Sequence, residues 1–324
     1  MEIGFTSTIP VELIFAAGHE PVDLNNVFIT DSASRSFITR AEAEGFPGAF
    51  CSWVKGIYGV VKHAGLKRLI VVVEGDCSNN QKLAEIFHNE GIEVFCFGYP
   101  HAHSYDALQA EIERLKTWLV VDETALRSTQ AALDRVRSKL AYLDVISYKD
   151  LKVTGFENHL WLVSATDFNG DHVKYDAALD DFIANIRKRK SADKSKVRLG
   201  YIGVPPIVDD IYQFIELKGG LVVFNEVQRQ FAMLDPADDL VQRYLNYTYP
   251  YGIENRIADI TRAVKERKLD GLIHYVQAFC SHTVDDMVLR ERFGIPMLTV
   301  ECDMPGHLDG KNRTKIEAFL ERWL

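Results

Sequence analysis

The chain is 324 residues long, 47% hydrophobic and 26% charged, the balance of an ordinary globular protein with enough apolar material for a large core. Its 37 basic and 46 acidic residues leave a net charge of −9, which argues against a non-specific grip on nucleic acid or docking on an anionic membrane. Five cysteines, an odd number, argue against a disulfide framework, and the length predicts two domains.

The N-terminus, Met1-Glu2-Ile3-Gly4-Phe5-Thr6, has no basic segment followed by an apolar run, so no secretory signal is expected. Apolar runs such as 69–73 are too short to span a bilayer, and a cytoplasmic location is expected. Pro47-Gly48 forces a loop that leads into Cys51, and a helix pattern follows over 53–63. Residues 68–74 form a near-continuous apolar run, as in a strand buried on both faces. Cys77 then lies at a strand end before a helix over 80–90, where the helix dipole would favour the thiolate. A strand over 92–97 holds Cys96 between two phenylalanines, the environment of a buried small hydrophobe. His101 and His103 have the spacing of a metal pair but follow Tyr99-Pro100 in a loop. Helices are expected over 104–119 and 123–145.

The basic run 187–196 breaks this pattern and reads as a solvated helix end and linker. It divides the chain into domains over 1–190 and 197–324. The rhythm then restarts, with strands over 197–203, 220–225, 270–276 and 296–301, and helices over 207–218, 254–268, 283–293 and 311–323. Each half therefore reads as an α/β open parallel sheet covered by helices, with ligands beyond the carboxyl ends of the strands. Cys280 again lies between a strand and a helix. Cys51, Cys77 and Cys280 thus share one kind of address, two in the first half and one in the second. Cys302 follows the last strand and is a weaker candidate. Three thiolates could hold zinc or an iron–sulfur cluster, leaving one coordination position open. No phosphate loop, G-x-G-x-x-G, G-x-S-x-G, H-E-x-x-H or C-x-x-C occurs.

The opening Ile9-Pro10-Val11-Glu12-Leu13-Ile14-Phe15-Ala16-Ala17-Gly18, with Pro21-Val22, resembles that of the 2-hydroxyacyl-CoA dehydratase D-component family. Cys51-Ser52-Trp53-Val54-Lys55, Gly75-Asp76-Cys77-Ser78 and Phe279-Cys280 are similar to its three cluster-cysteine motifs. Gly294-Ile295-Pro296-Met297-Leu298, Glu301-Cys302-Asp303 and 313–321 are similar to its closing pattern. The resemblance spans nearly the whole chain. It implies two flavodoxin-like domains with a 4Fe–4S cluster in the cleft between them, held by Cys51, Cys77 and Cys280. It also implies electron delivery by a separate ATP-hydrolysing iron–sulfur activator, work as a homodimer, and low-potential dehydration or reduction of an acyl-CoA-type substrate. Ser52, Ser78 and Ser281 each follow a candidate ligand, and their backbone amides, with the side chain of His282, are candidate neighbours of the cluster. The chain opens almost at the Pro-Val-Glu-Leu-Ile motif, without the helical extension common in dehydratase subunits, and Lys315 stands where arginine is usual. These departures bear on the substrate more than on the cluster. The alternatives are a stand-alone small-molecule reductase with a double-cubane 8Fe–9S cluster, in which Cys302 would matter, and a non-catalytic cluster-bearing partner subunit.

Overall fold

The computed structural model describes residues 1–323. Eight strands form two sheets: β1 (Glu2–Phe5), β2 (Glu20–Asp23), β3 (Arg68–Glu74) and β4 (Glu93–Gly98), then β5 (Val197–Gly203), β6 (Gly220–Asn225), β7 (Gly271–Gln277) and β8 (Met297–Cys302). The first sheet runs β2-β1-β3-β4 and the second β6-β5-β7-β8, every pair parallel. The two sheets therefore share one flavodoxin-like strand order. In each, the crossover from the second strand to the third is long and carries three helices. These are Leu24–Thr30, Ser34–Ala43 and Ser52–Ala64 in the first half, and Glu226–Ala232, Leu240–Leu245 and Ile253–Glu266 in the second.

The central strands form where both faces are apolar. Leu69, Ile70, Val71 and Val72 of β3 are fully buried, as is every residue of β6 and β7. β1 and β2 were not expected. Each has only four residues, one with Gly4 and the other with Pro21. β2 lies at the sheet edge, where a proline costs no ladder hydrogen bond that the sheet needs. The helix expected over 283–293 is instead a 3₁₀ turn, Ser281–Asp285, and a single α-turn, Asp286–Leu289. Tertiary bonds capture its acidic residues: Asp286 Oδ1 meets His274 Nδ1 at 2.9 Å, and Arg256 Nη1 donates to Asp285 Oδ2 at 2.6 Å. Cys96 is exposed, contrary to its reading as a core residue. β4 is an edge strand, and period-two alternation turns Phe95 and Phe97 inward and Cys96 outward.

The halves are joined by packing. One apolar cluster joins Leu69, Val71 and Phe87 to Tyr201, Ile211 and Tyr275, and a second joins Val72, Phe97 and Tyr99 to Tyr244, Tyr247 and Tyr251. A buried ion pair adds direction. Arg267 on the second half meets both oxygens of Asp144, on the helix Glu123–Lys149, at 2.6 and 3.0 Å, and also donates to the Val223 carbonyl at 2.9 Å. Asp144→Ala would leave this guanidinium buried without its counter-ion, so urea unfolding of the variant is expected to show a loss of about 3–5 kcal/mol.

Candidate metal centre

In an open parallel sheet the ligand site lies beyond the carboxyl ends of the strands, where the strand order reverses. That point falls between β1 and β3 in the first sheet and between β5 and β7 in the second. Both points open onto one cavity of about 800 Å³. Thr6–Thr8 follow β1, Cys77 follows β3, 204–207 follow β5 and Cys280 follows β7, and all line this cavity. Cys51 reaches it as the N-cap residue of the helix Ser52–Ala64. The three cysteines singled out in the sequence thus line one cavity, two from the first half and one from the second.

Each cysteine loop is held by an identifiable contact. Before Cys51, the buried ammonium of Lys55 pins the preceding loop by bonding Glu42 Oε1 at 2.6 Å and the Gly48 carbonyl at 3.0 Å. Before Cys77, Gly75 has φ of +84°, and a Cβ there would stand 2.7 Å from Tyr99 Cβ and 2.9 Å from Pro250 Cβ. The turn is pressed against the second half so closely that only glycine fits. After Cys280, Asp285 accepts from both Arg256 and His282 Nδ1, the latter at 2.9 Å. Arg256 also grips Glu226 at 2.7 and 2.9 Å, and Glu226 accepts from the Gly203 amide at the end of β5. Burial pushes the Asp285 carboxyl up, but His282 and Arg256 outweigh it and hold it below its ordinary range.

The thiols are not activated in the way the helix-dipole argument expected. Burial pushes Cys51 up, Cys77 up to about 12 with help from the Asp76 carboxylate, and Cys280 up to about 11. Backbone amides oppose this more weakly: those of Val54 and Trp53 at Cys51, Asn79 at Cys77 and His282 at Cys280. The amide donors therefore lie two or three residues beyond each cysteine. Ser52 is buried with its hydroxyl on Met304 Sδ at 3.1 Å, while Ser78 and Ser281 are exposed. His282 rests against the Tyr249 ring, 5.0 Å between centroids, behind the Cys280 turn.

Cys302 is buried but does not line the cavity. It lies beside Asn312 Nδ2 at 3.7 Å and the Tyr275 hydroxyl. His103 bonds the Leu245 carbonyl at 2.8 Å, away from the cavity. Among the described residues, one group of three potential ligands has all its atoms within 4.8 Å, namely Asp209, Asp210 and His307. Its members already bond one another, with His307 Nδ1 on Asp209 at 2.6 Å, and the Arg313 guanidinium is bonded to Asp210. The three cysteine sulfurs are not such a group, so they are spread more widely than a single small ion requires.

Asp76 and His159 are among the cavity residues that the sequence reading missed. Asp76, half-buried beside Cys77, is pushed up by burial, and His282 partly offsets this. His159 lies on the helix Gly155–Val163, whose start is marked by the capping box Thr154/Glu157, a signal present in the sequence. Burial pushes His159 down to about 3, so its imidazole is neutral at working pH.

The family model described as 2-hydroxyglutaryl-CoA dehydratase, D-component, matches residues 6–322. No curated protein matches the chain.

The His159 shift has a pH consequence. A histidine depressed in the fold contributes stability that is present above its unfolded value of 6.5 and lost as pH falls towards about 3. Urea unfolding at pH 7.5 and 4.5 is expected to show the wild type losing roughly 2–3 kcal/mol more than His159→Gln between the two conditions.

Proposed function

The chain belongs to the 2-hydroxyglutaryl-CoA dehydratase D-component family, and on that premise we propose that it is the cluster-bearing component of an enzyme that dehydrates or reduces an acyl-CoA-type thioester. We assign the cluster, of the 4Fe–4S kind, to Cys51, Cys77 and Cys280. The observation that carries this reading is the convergence of three thiols, from three separate loops and both halves, on one cavity at the facing strand ends. The donor chemistry fits. A four-coordinate ion with ~2.3 Å bonds to sulfur would set the sulfurs ~3.8 Å apart, whereas these three fall outside the compact group found among the described residues. A multi-iron cluster suits wider spacing and soft thiolate donors.

When bound, such a cluster supplies a low-potential electron and a Lewis-acidic iron. The chain's own residues do the rest. Each cysteine must give up its proton on binding, which burial makes unfavourable until the metal charge is present. The amides of Trp53, Val54, Asn79 and His282 oppose the effect of burial on the thiols and would help the thiolates carry their charge. The chain has no phosphate loop, so the ATP-driven electron source is assigned to a separate iron–sulfur activator, and the working form to a pair of like chains.

Single replacements Cys51→Ser, Cys77→Ser and Cys280→Ser are expected to strip or degrade the cluster in anaerobically purified protein. Cys96→Ser and Cys302→Ser are expected to retain the iron. Full iron retention in all three of the first set overturns the assignment. Metal analysis also fixes nuclearity, because about four irons per chain fits one cubane and about eight fits a double cubane. Activator- and ATP-dependent turnover of a panel of acyl-CoA thioesters tests the activity. Light scattering under reducing conditions is expected to give the mass of two chains, and a monomer mass at micromolar concentration refutes the pairing.

A further inference from the structure

The cavity has an uneven charge lining. Among the described residues that line it, four are aspartates, Asp23, Asp31, Asp76 and Asp209, and one is a permanent cation, Arg35. Arg35 is exposed at the rim, where its Nε donates to the Pro305 carbonyl at 3.0 Å. The remaining basic side chain in the lining is His159, which is uncharged. A ligand carboxylate drawn inside would therefore lose its water and find no buried cation to pair with, an expensive transfer.

The wall formed by the helix Gly155–Val163 is of the opposite kind. Phe156, His159, Leu160 and Val163, at helical spacing, all face the cavity, and Tyr212 continues this surface with its ring 5.1 Å from that of His159. One polar group interrupts it, and its proton can be located by following the hydrogen bonds back to a backbone carbonyl. Asn225 Nδ2 donates to the Gly155 carbonyl at 3.1 Å, which fixes the orientation of that amide and turns Oδ1 towards Tyr212. The Tyr212 hydroxyl donates to Oδ1 at 2.9 Å, so its oxygen is left as an acceptor. The group of Gln228 that meets both Tyr212, at 3.5 Å, and His159 Nδ1, at 3.1 Å, is therefore its NH₂. His159 Nδ1 accepts, and the ring proton lies on Nε2. Among the described residues Nε2 has no protein partner and is not an enclosed atom, so this N–H is the donor the ring presents to the cavity.

We propose that the cavity accepts an uncharged, largely apolar acyl group, that His159 positions it by donating from Nε2 to one of its oxygens, and that the site discriminates against acyl chains ending in a second carboxylate. This rests on the thioester reading above and narrows it. The distal carboxylate of a glutaryl-type substrate, the kind in the family's description, is what this lining rejects.

The test is calorimetric titration of the full chain, purified in its metal-loaded form without oxygen, with two pantetheine thioesters, one of 4-methylpentanoic acid and one of glutaric acid attached through a single carboxyl. The branched thioester is expected to bind about tenfold or more tightly than the glutaryl one. His159→Leu is expected to weaken the branched thioester about tenfold, and His159→Gln, which keeps an N–H donor, to restore most of that loss. Equal or tighter binding of the glutaryl thioester overturns the proposal, as does failure of both to bind. Unchanged affinity in His159→Leu, or equal losses in the Leu and Gln variants, overturns the role given to His159. The wild-type comparison stands even if a variant fails to fold. Selectivity is read from binding rather than turnover, so a selective chain that shows no turnover with activator and ATP would refute the dehydratase reading and leave this one intact.

Discussion

Arg256 carries the second half's share of the site. Its guanidinium is buried and bonds two carboxylates, Glu226 and Asp285. Each of these takes a further donor, the Gly203 amide in one case and His282 in the other. A line of bonds therefore runs from the end of β5, through the helix Ile253–Glu266, to the turn that follows Cys280. Desolvating so much charge is costly, and such a group is tolerated when its hydrogen-bonding capacity is filled. The result is a fixed distance between two strand ends that no apolar contact would define as sharply. Truncating Arg256 would leave Glu226 buried and charged beside β5, and the Cys280 turn without its anchor.

The thiols meet a different kind of constraint. They lie in a cavity whose burial favours their neutral form, and Asp76 adds to this at Cys77. Such a site holds no ready-made anion for a stray oxidant or electrophile. A multivalent metal centre inverts the balance, since its charge outweighs the desolvation that keeps the protons on. The burial that keeps the thiols neutral would thus be offset by the centre proposed above.

Much of this was legible in the sequence where local chemistry decides structure. β3, β5 and β6 fall on the expected residues because runs such as Leu69–Val73 are apolar on both faces. The placement of Cys77 and Cys280 just after strands, and of Cys51 in a loop before a helix, was legible for the same reason. Their convergence on one cavity was not, because it depends on two sheets of equal strand order presenting their switch points to each other. Cys51 sits at the N-cap of its helix, and its side chain makes no capping hydrogen bond there. Cys96 was misread because flanking phenylalanines signal a core only when both faces of the strand are covered. The helix over 283–293 failed because Asp285 and Asp286 have stronger partners in space than along the chain.

The separation of the cysteines along the chain has a consequence for biosynthesis. Cys280 follows Cys77 by 280 − 77 = 203 residues. At roughly 5–20 residues per second, synthesis would reach it about 10–40 s after Cys77. During that interval the first sheet can form, but the surfaces that Pro250 and the β7 turn will cover face solvent. The centre proposed above, if it needs all three thiols, could not be completed before Cys280 is made. Until Cys280 has been made, Cys51 and Cys77 depend on the reducing environment around them rather than on the fold.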